Sequence, residues 1–229
     1  GFGYTGSYTA ITNLVSNAGV VASDVTGVGT GRSAMACSYG TDKGIFGYGY
    51  KASTSVSMTN LVSNAGVVAT DVTGVGTARY NLTACEYGED KGIFGFGNSG
   101  SVTAVTNLVS NAGVVATDVT GVGTARAYIA ACGYGGDKGI FGYGSTGSNT
   151  AVTNLVSNTG VVASDTTGVG TARNGLAACE YGINKGIFGF GWVSSRVSMT
   201  NLVTSLGVVG TDVTGVGTAR DNPAACSFK

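Results

Sequence analysis

One spacing governs this sequence. Asn13, Asn60, Asn107, Asn154 and Asn201 stand 47 residues apart, and so do Asp24, Asp71, Asp118, Asp165 and Asp212. Arg32, Arg79, Arg126, Arg173 and Arg220 keep the same step. Cys37 follows its arginine by five positions, and Cys85, Cys132, Cys179 and Cys226 follow theirs by six. A chain that repeats at such a period builds one supersecondary unit again and again, and each unit buries a face that it cannot cover alone. The unit reads Arg-x-x-Leu-x-Ala-Cys-x-Tyr-Gly, then Asp-Lys-Gly-Ile-Phe-Gly-Tyr/Phe-Gly, then a variable loop. It ends Thr-Asn-Leu-Val-Ser-Asn-x-Gly-Val-Val-Ala-x-Asp-x-Thr-Gly-Val-Gly-Thr-Ala-Arg.

Four runs rich in Val, Ile, Thr, Tyr and Phe fall in each unit, at 80–87, 92–96, 102–110 and 114–119 in one copy. Such residues suit a pleated surface, and glycine-rich turns separate the runs. No stretch has a helical period, and Gly, 41 of the 229 residues, recurs too often for stable helices. Four strands in 47 residues predict one blade of an all-β, five-bladed β-propeller with four antiparallel strands per blade. The whole chain, 1–229, then forms one domain.

Five periods of 47 need six residues more than the chain has. Matching Phe2 with Phe94 places four of the six between the two ends and two in the first variable loop. The run 222–228 is then expected to pair with the strand that holds Phe2 and Tyr4, closing the ring with one strand from one end and three from the other. An open stack would instead want atypical polar end repeats, and the sequence has none.

Composition narrows the chemistry. There is no His, so a Ser–His–Asp triad and imidazole metal ligands are excluded. Twelve basic and twelve acidic residues cancel, which argues against a phosphate-tracking surface and a nucleic-acid partner. Charged residues are 10% of the chain, against roughly a quarter in ordinary domains, so hydroxyls, amides and glycine must form the surface. The glutamates, Glu86, Glu89 and Glu180, do not recur in every copy, and no carboxylate pair marks a catalytic cleft. No enzyme activity, cofactor or metal is expected. No apolar stretch is long enough for a membrane-spanning helix, so membrane insertion is not expected.

Residues that recur five times answer either a need of the fold or a site used five times. The Asp and Arg of each copy lie eight apart, as in Asp71 and Arg79. They are expected to form structural ion pairs, or charge-to-backbone bonds, that pin the connection between blades. A ring of anion-binding arginines is the alternative. Lys43, Lys91, Lys138 and Lys185 are expected on solvated hairpin tips. The cysteines lack Cys-x-x-Cys spacing and are expected as small, buried, reduced thiols on the innermost strand. The glycine clusters precede no helix and do not make a phosphate loop.

Copies differ most between the second and third strands. The residues expected to meet a partner lie there: Tyr8, Tyr50, Lys51, Asn98, Trp192 and Arg196. Exposed aromatics beside polar groups serve protein or glycan partners.

The order of parts resembles a kelch-type blade. Arginine stands at the blade start, a small-residue strand follows, and Lys-Gly-Ile-Phe-Gly-Tyr-Gly occupies the place of the kelch Ile-Tyr-x-x-Gly-Gly. The kelch Gly-Gly doublet is Gly-Tyr-Gly or Gly-Phe-Gly here, and the Tyr and Trp of the last kelch strands are missing. The chain also looks like the Gly/Thr-rich, kelch-like repeats of phage structural and metagenomic proteins, which implies a virion or surface scaffold presenting loops to a partner. Five blades of 47 residues are similar to the tachylectin type of propeller lectin, without its Trp-Asp signature. That second resemblance implies a multivalent lectin with about one site per blade. Together they favour a virion or extracellular surface over other locations.

Overall fold

The computed structural model describes residues 1–227. It is all-β, with no helix among the described residues, and so none long and apolar enough to cross a membrane. The strands are β1 Gly3–Tyr4, β2 Tyr8–Thr9, β3 Ser33–Tyr39, β4 Lys43–Lys51, β5 Thr54–Ser55, β6 Thr59–Val62, β7 Thr83–Tyr87, β8 Lys91–Gly95, β9 Thr106–Val109, β10 Ala130–Tyr134, β11 Lys138–Gly142, β12 Thr153–Val156, β13 Ala177–Tyr181, β14 Lys185–Gly189 and β15 Thr200–Val203. They form five small antiparallel sheets. Three of these are the same meander, β7-β8-β9, β10-β11-β12 and β13-β14-β15. A fourth has β4 between β3 and β6, and β5 adds a hairpin at its end.

Register repeats with the sequence. Cys85 faces Ile93 and Phe94 faces Asn107, as Cys132 faces Ile140 and Phe141 faces Asn154. Each core cluster is shared by two neighbouring sheets. Ile93 and Phe96 of one sheet pack with Phe141 and Val156 of the next, and Ile140 and Tyr143 with Phe188 and Val203. A buried Phe or Ile contributes roughly 1.5–3 kcal/mol, so these shared clusters stabilise the contact between units.

The glycines of β8 and its counterparts explain how closely the sheets approach. A Cβ on Gly95 would stand 2.7 Å from Cζ of Phe141, and one on Gly139 would stand 2.7 Å from Sγ of Cys85. Each unit therefore receives an aromatic ring from the next unit on one glycine and presses its own thiol onto another. The same pair of contacts joins Gly47 to Phe94 and Gly92 to Cys37.

Three expectations need correction. The fourth run of each unit is not a continuous strand. It meets the third strand only through isolated bridges, Thr106 with Val119 and Val109 with Val115. Between these bridges the Asn107 side chain donates to the Ala116 carbonyl, so an amide side chain stands where a ladder bond would be. Second, residues 222–227 form no strand and do not pair with β1, and Phe228 lies outside the described residues. Third, Phe2 is the counterpart of Phe96 rather than of Phe94. Arg32 stacks on Phe2 as Arg126 stacks on Phe96, and both rings lie eleven positions before their asparagines, Asn13 and Asn107. The first variable loop is thus of ordinary length. The second-strand segment Lys-Gly-Ile-Phe occurs four times, against five copies of the cysteine segment.

Substituting Gly95→Ala pushes a methyl into the Phe141 ring. Overpacking of this kind costs about 1–3 kcal/mol, and urea unfolding should register it as a lower midpoint at unchanged slope. An unchanged midpoint would show that neighbouring sheets do not interlock through this glycine.

Candidate functional site

The most repeated constellation centres on a buried arginine. Arg32, Arg79, Arg126 and Arg173 have no exposed surface. Arg126 donates from Nε to the Tyr143 carbonyl at 2.8 Å, from Nη1 to the Thr124 carbonyl at 2.9 Å and from Nη2 to Oδ1 of Asn154 at 2.7 Å. Arg32 repeats this set with Tyr48, Thr30 and Asn60, and Arg173 with Phe190, Thr171 and Asn201. One face of each guanidinium covers an aromatic ring of the preceding unit. The pairs are Arg32 on Phe2, Arg79 on Tyr48, Arg126 on Phe96, Arg173 on Tyr143 and Arg220 on Phe190, at 3.8–4.7 Å. A desolvated cation–π contact of this kind is worth about 2 kcal/mol. Burial lowers Arg126 to about 10, against the opposing pull of Asp165, so the group stays charged at neutral pH.

The aspartates do not pair as their eight-residue spacing implies. Asp71 faces Arg32, at 3.8 Å, and Asp212 faces Arg173, at 3.9 Å, rather than Arg79 and Arg220. Asp118 and Asp165 act on Arg79 and Arg126 in the same sense. The reason lies in where a unit begins. Asp71 closes the sheet that Arg32 opens, whereas Arg79 opens the next sheet. Nor is the ion pair the main bond. Asp71 accepts from the amide and hydroxyl of Thr30, the latter at 2.6 Å, and from Nδ2 of Asn60 at 2.8 Å. Each Asp therefore ties the start of its sheet to the end. Asp24 accepts from Asn13, and Arg220 donates to the Thr218 carbonyl.

Sequence reasoning missed two partners in this joint, the repeated asparagine and the aromatic ring. Both left a signal. The asparagine keeps the period of the arginine, and the aromatic position reads Phe2, Tyr48, Phe96, Tyr143 and Phe190, so the ring is kept while the hydroxyl is not.

A second feature is a cavity of about 560 Å³ lined by the equivalent cysteine of all five copies, Cys37, Cys85, Cys132, Cys179 and Cys226. Ser38, Glu86, Gly133, Glu180 and Ser227 hold the next position and line it too. The Ser38 hydroxyl donates to Glu86 at 2.7 Å. All five cysteines are free thiols, but against expectation only Cys85 and Cys132 are buried, while Cys37 and Cys179 are half-buried and Cys226 is exposed. Burial pushes Cys37 up to about 12, with Glu86 adding to the rise, and lifts Cys85 well above its ordinary value. A thiol so held is a poor nucleophile, because the thiolate is the reactive form. Tip lysines sit above: Lys91 bonds Asp90 at 2.7 Å, and Asn111 donates to the other oxygen of Asp90. Adjacent tips are tied by the Gly88 amide donating to the Asp137 carbonyl.

The variable loops lie at the other end of the strands. Tyr8 and Tyr50 come together there, with ring centroids 6.4 Å apart, and Tyr4 and Tyr80 extend the row at 5.1 and 4.9 Å. Lys51 ends β4 beside Tyr50, and Asn98 bridges to Tyr80. Trp192 and Arg196 form a separate cluster, in which Arg196 lies 5.8 Å from the Trp192 ring centroid and bonds Asp221 at 2.6 Å. The six residues expected to meet a partner thus make two patches.

No protein-family model and no curated protein sequence matches the chain.

Three measurements test this geometry. Asp118→Ala should destabilise by about 1–2 kcal/mol, through lost hydrogen bonds, and should couple in a double-mutant cycle with Thr77→Val but not with Thr124→Val. Coupling to Thr124 instead would reverse the assignment of partners. Burial tends to raise Asp71, Asp118, Asp165 and Asp212, but bonds from the threonines and asparagines outweigh it, and all four lie below the ordinary 3.8. A lowered folded-state value gives stability that is present above the unfolded value and lost as pH falls through the folded one. Unfolding midpoints should therefore be level above about pH 5 and drop below about pH 4. Thiol labelling of the native chain at pH 8 should modify exposed Cys226 first, and unfolding should release all five. Fast labelling of Cys85 would show that the units open.

Proposed function

We propose that the five units stand around the cysteine-lined cavity as a five-bladed β-propeller, and that the protein is a non-enzymatic scaffold presenting its variable loops to a partner. One observation carries this reading. The arginines and asparagines that recur in the full units are consumed in holding units together, whereas the aromatics that differ between copies gather on the loop face. A ring built by repeated internal joints is stiff, and loops on a stiff frame can change without cost to the frame.

The Tyr4, Tyr8, Tyr50 and Tyr80 row supports a glycan as that partner at one place on the ring. Their hydroxyls make no hydrogen bond to another described residue, unlike that of buried Tyr143, which donates to the Val169 carbonyl. Aromatic rings with free polar tips suit the mixed apolar and hydroxyl faces of sugars. One lectin site per blade would need residues repeated in every copy, and four of the five repeated arginines, Arg32, Arg79, Arg126 and Arg173, lie buried in the joints.

The test is a glycan array followed by calorimetric stoichiometry. Binding at about one site per chain, lost in Tyr8→Ala/Tyr50→Ala but kept in Trp192→Ala, is the outcome expected for the tyrosine row. The double variant should unfold within about 0.5 kcal/mol of the parent, since surface changes away from the joints cost little. A blank array from folded protein would direct the search to protein partners of the loop face. Five equivalent sites would overturn the scaffold reading in favour of a lectin with one site per blade.

A further inference from the structure

At three successive joints the incoming second strand makes the same three contacts. Its phenylalanine covers a glycine of the preceding unit: Phe94 over Gly47, Phe141 over Gly95 and Phe188 over Gly142. The same ring stacks on the preceding aromatic at 5.1–5.2 Å, on Tyr48, Phe96 and Tyr143 in turn. Its first glycine receives the preceding thiol, as Gly139 receives Cys85 and Gly186 receives Cys132.

At the fourth joint the three receiving groups are Gly189, Phe190 and Cys179, and among the described residues no second-strand phenylalanine or glycine lies on them, although Arg220 stacks on one face of Phe190. A Cβ on Gly189 would meet only Cγ2 of Thr200, at 3.3 Å, where its counterparts meet an aromatic ring. Cys179 is half-buried, whereas Cys85 and Cys132 are buried. All three line one cavity of about 260 Å³, which Ala224 and Ala225 flank. Residues 222–227 lie beside it with no paired strand. The third-strand segment of the first copy is equally bare, with Val15 62% exposed where Val109, Val156 and Val203 are fully buried.

We propose that this cavity is a strand-accepting site. It takes an extended segment of the pattern Gly-Ile-Phe-Gly, the second strand that each of the three preceding joints holds. The segment pairs antiparallel along 224–227, seats its phenylalanine on Gly189 against the Phe190 ring, and lays its first glycine on the Cys179 thiol. This occupant is fixed by the three equivalent joints, each of which holds that strand on those groups. Strand addition of this kind gains affinity from main-chain hydrogen bonds and specificity from the pocket that takes the side chain. The site does not depend on the loop-face reading, and its failure leaves that reading untouched.

A synthetic peptide with the sequence of residues 88–95 tests it, by calorimetry and by thermal unfolding of the full chain. The expected result is one site per chain, with a Tm that rises with peptide concentration by mass action. The same peptide carrying Phe94→Ala should bind at least about tenfold more weakly, since it loses the buried ring. Gly189→Ala should change the Tm of the free chain only slightly, because its methyl meets only Cγ2 of Thr200, at 3.3 Å, yet weaken the peptide at least about tenfold by taking the place of the ring. Absence of binding at millimolar peptide overturns the proposal. So does binding that survives both Gly189→Ala and the peptide Phe94→Ala, since the peptide would then sit elsewhere.

Discussion

The buried guanidinium is the constraint on which the rest of this structure depends. A charge removed from water is costly unless every donor finds an acceptor, and a residue able to bond three ways at once fixes the positions of three backbone or side-chain groups. Arg126 binds the carbonyl of Tyr143, the carbonyl of Thr124 and the amide oxygen of Asn154. These belong to the end of the second strand, the entry to the unit and the third strand. One side chain thus sets the spacing of a whole sheet, and its flat face, laid on Phe96, sets the distance to the preceding sheet. The aspartate completes the device from outside by holding the entry threonine to the asparagine.

Around this joint the remaining sequence choices become intelligible. Two glycines in the second strand are needed because a ring enters on one and a thiol on the other. The third glycine of the segment has a different reason. Gly49, Gly97, Gly144 and Gly191 lie at φ of 104–113°, and the aromatic before each sits at 57–63°, a left-handed kink that turns the ring toward the arginine of the next unit. Holding a bulky residue at positive φ costs about 1–3 kcal/mol. Cation–π stacking and burial of the ring offset that cost. The interior guanidinium charges are met by carbonyl and amide oxygens of the joints themselves.

A frame secured by internal joints divides the molecule by role. At one end of the strands the tips are nearly identical, tied by backbone bonds and short Asp–Lys pairs, above a cavity lined by free thiols. At the other end the loops differ in length and content, and the aromatics collect in a row and a separate tryptophan cluster. The first serves the frame. The second is free to vary and is where recognition belongs in the proposed scaffold.

Much of this was legible in the sequence. The 47-residue period, the absence of helix and the first three strands of a unit all follow from periodicity and residue type, which act locally. The partner of each charged group was not legible. Asp71 lies eight residues from Arg79 but bonds the sheet opened by Arg32, because a meander brings its last residues back beside its first. Nor could counting place Phe2. Only the stack with Arg32 distinguishes it as the counterpart of Phe96. The chain itself determined what repeats and how often, through its spacing and its strand-forming residues. Tertiary structure alone decided which repeated residues meet, because buried charge, ring and thiol find their partners across units that are adjacent in space and distant in sequence.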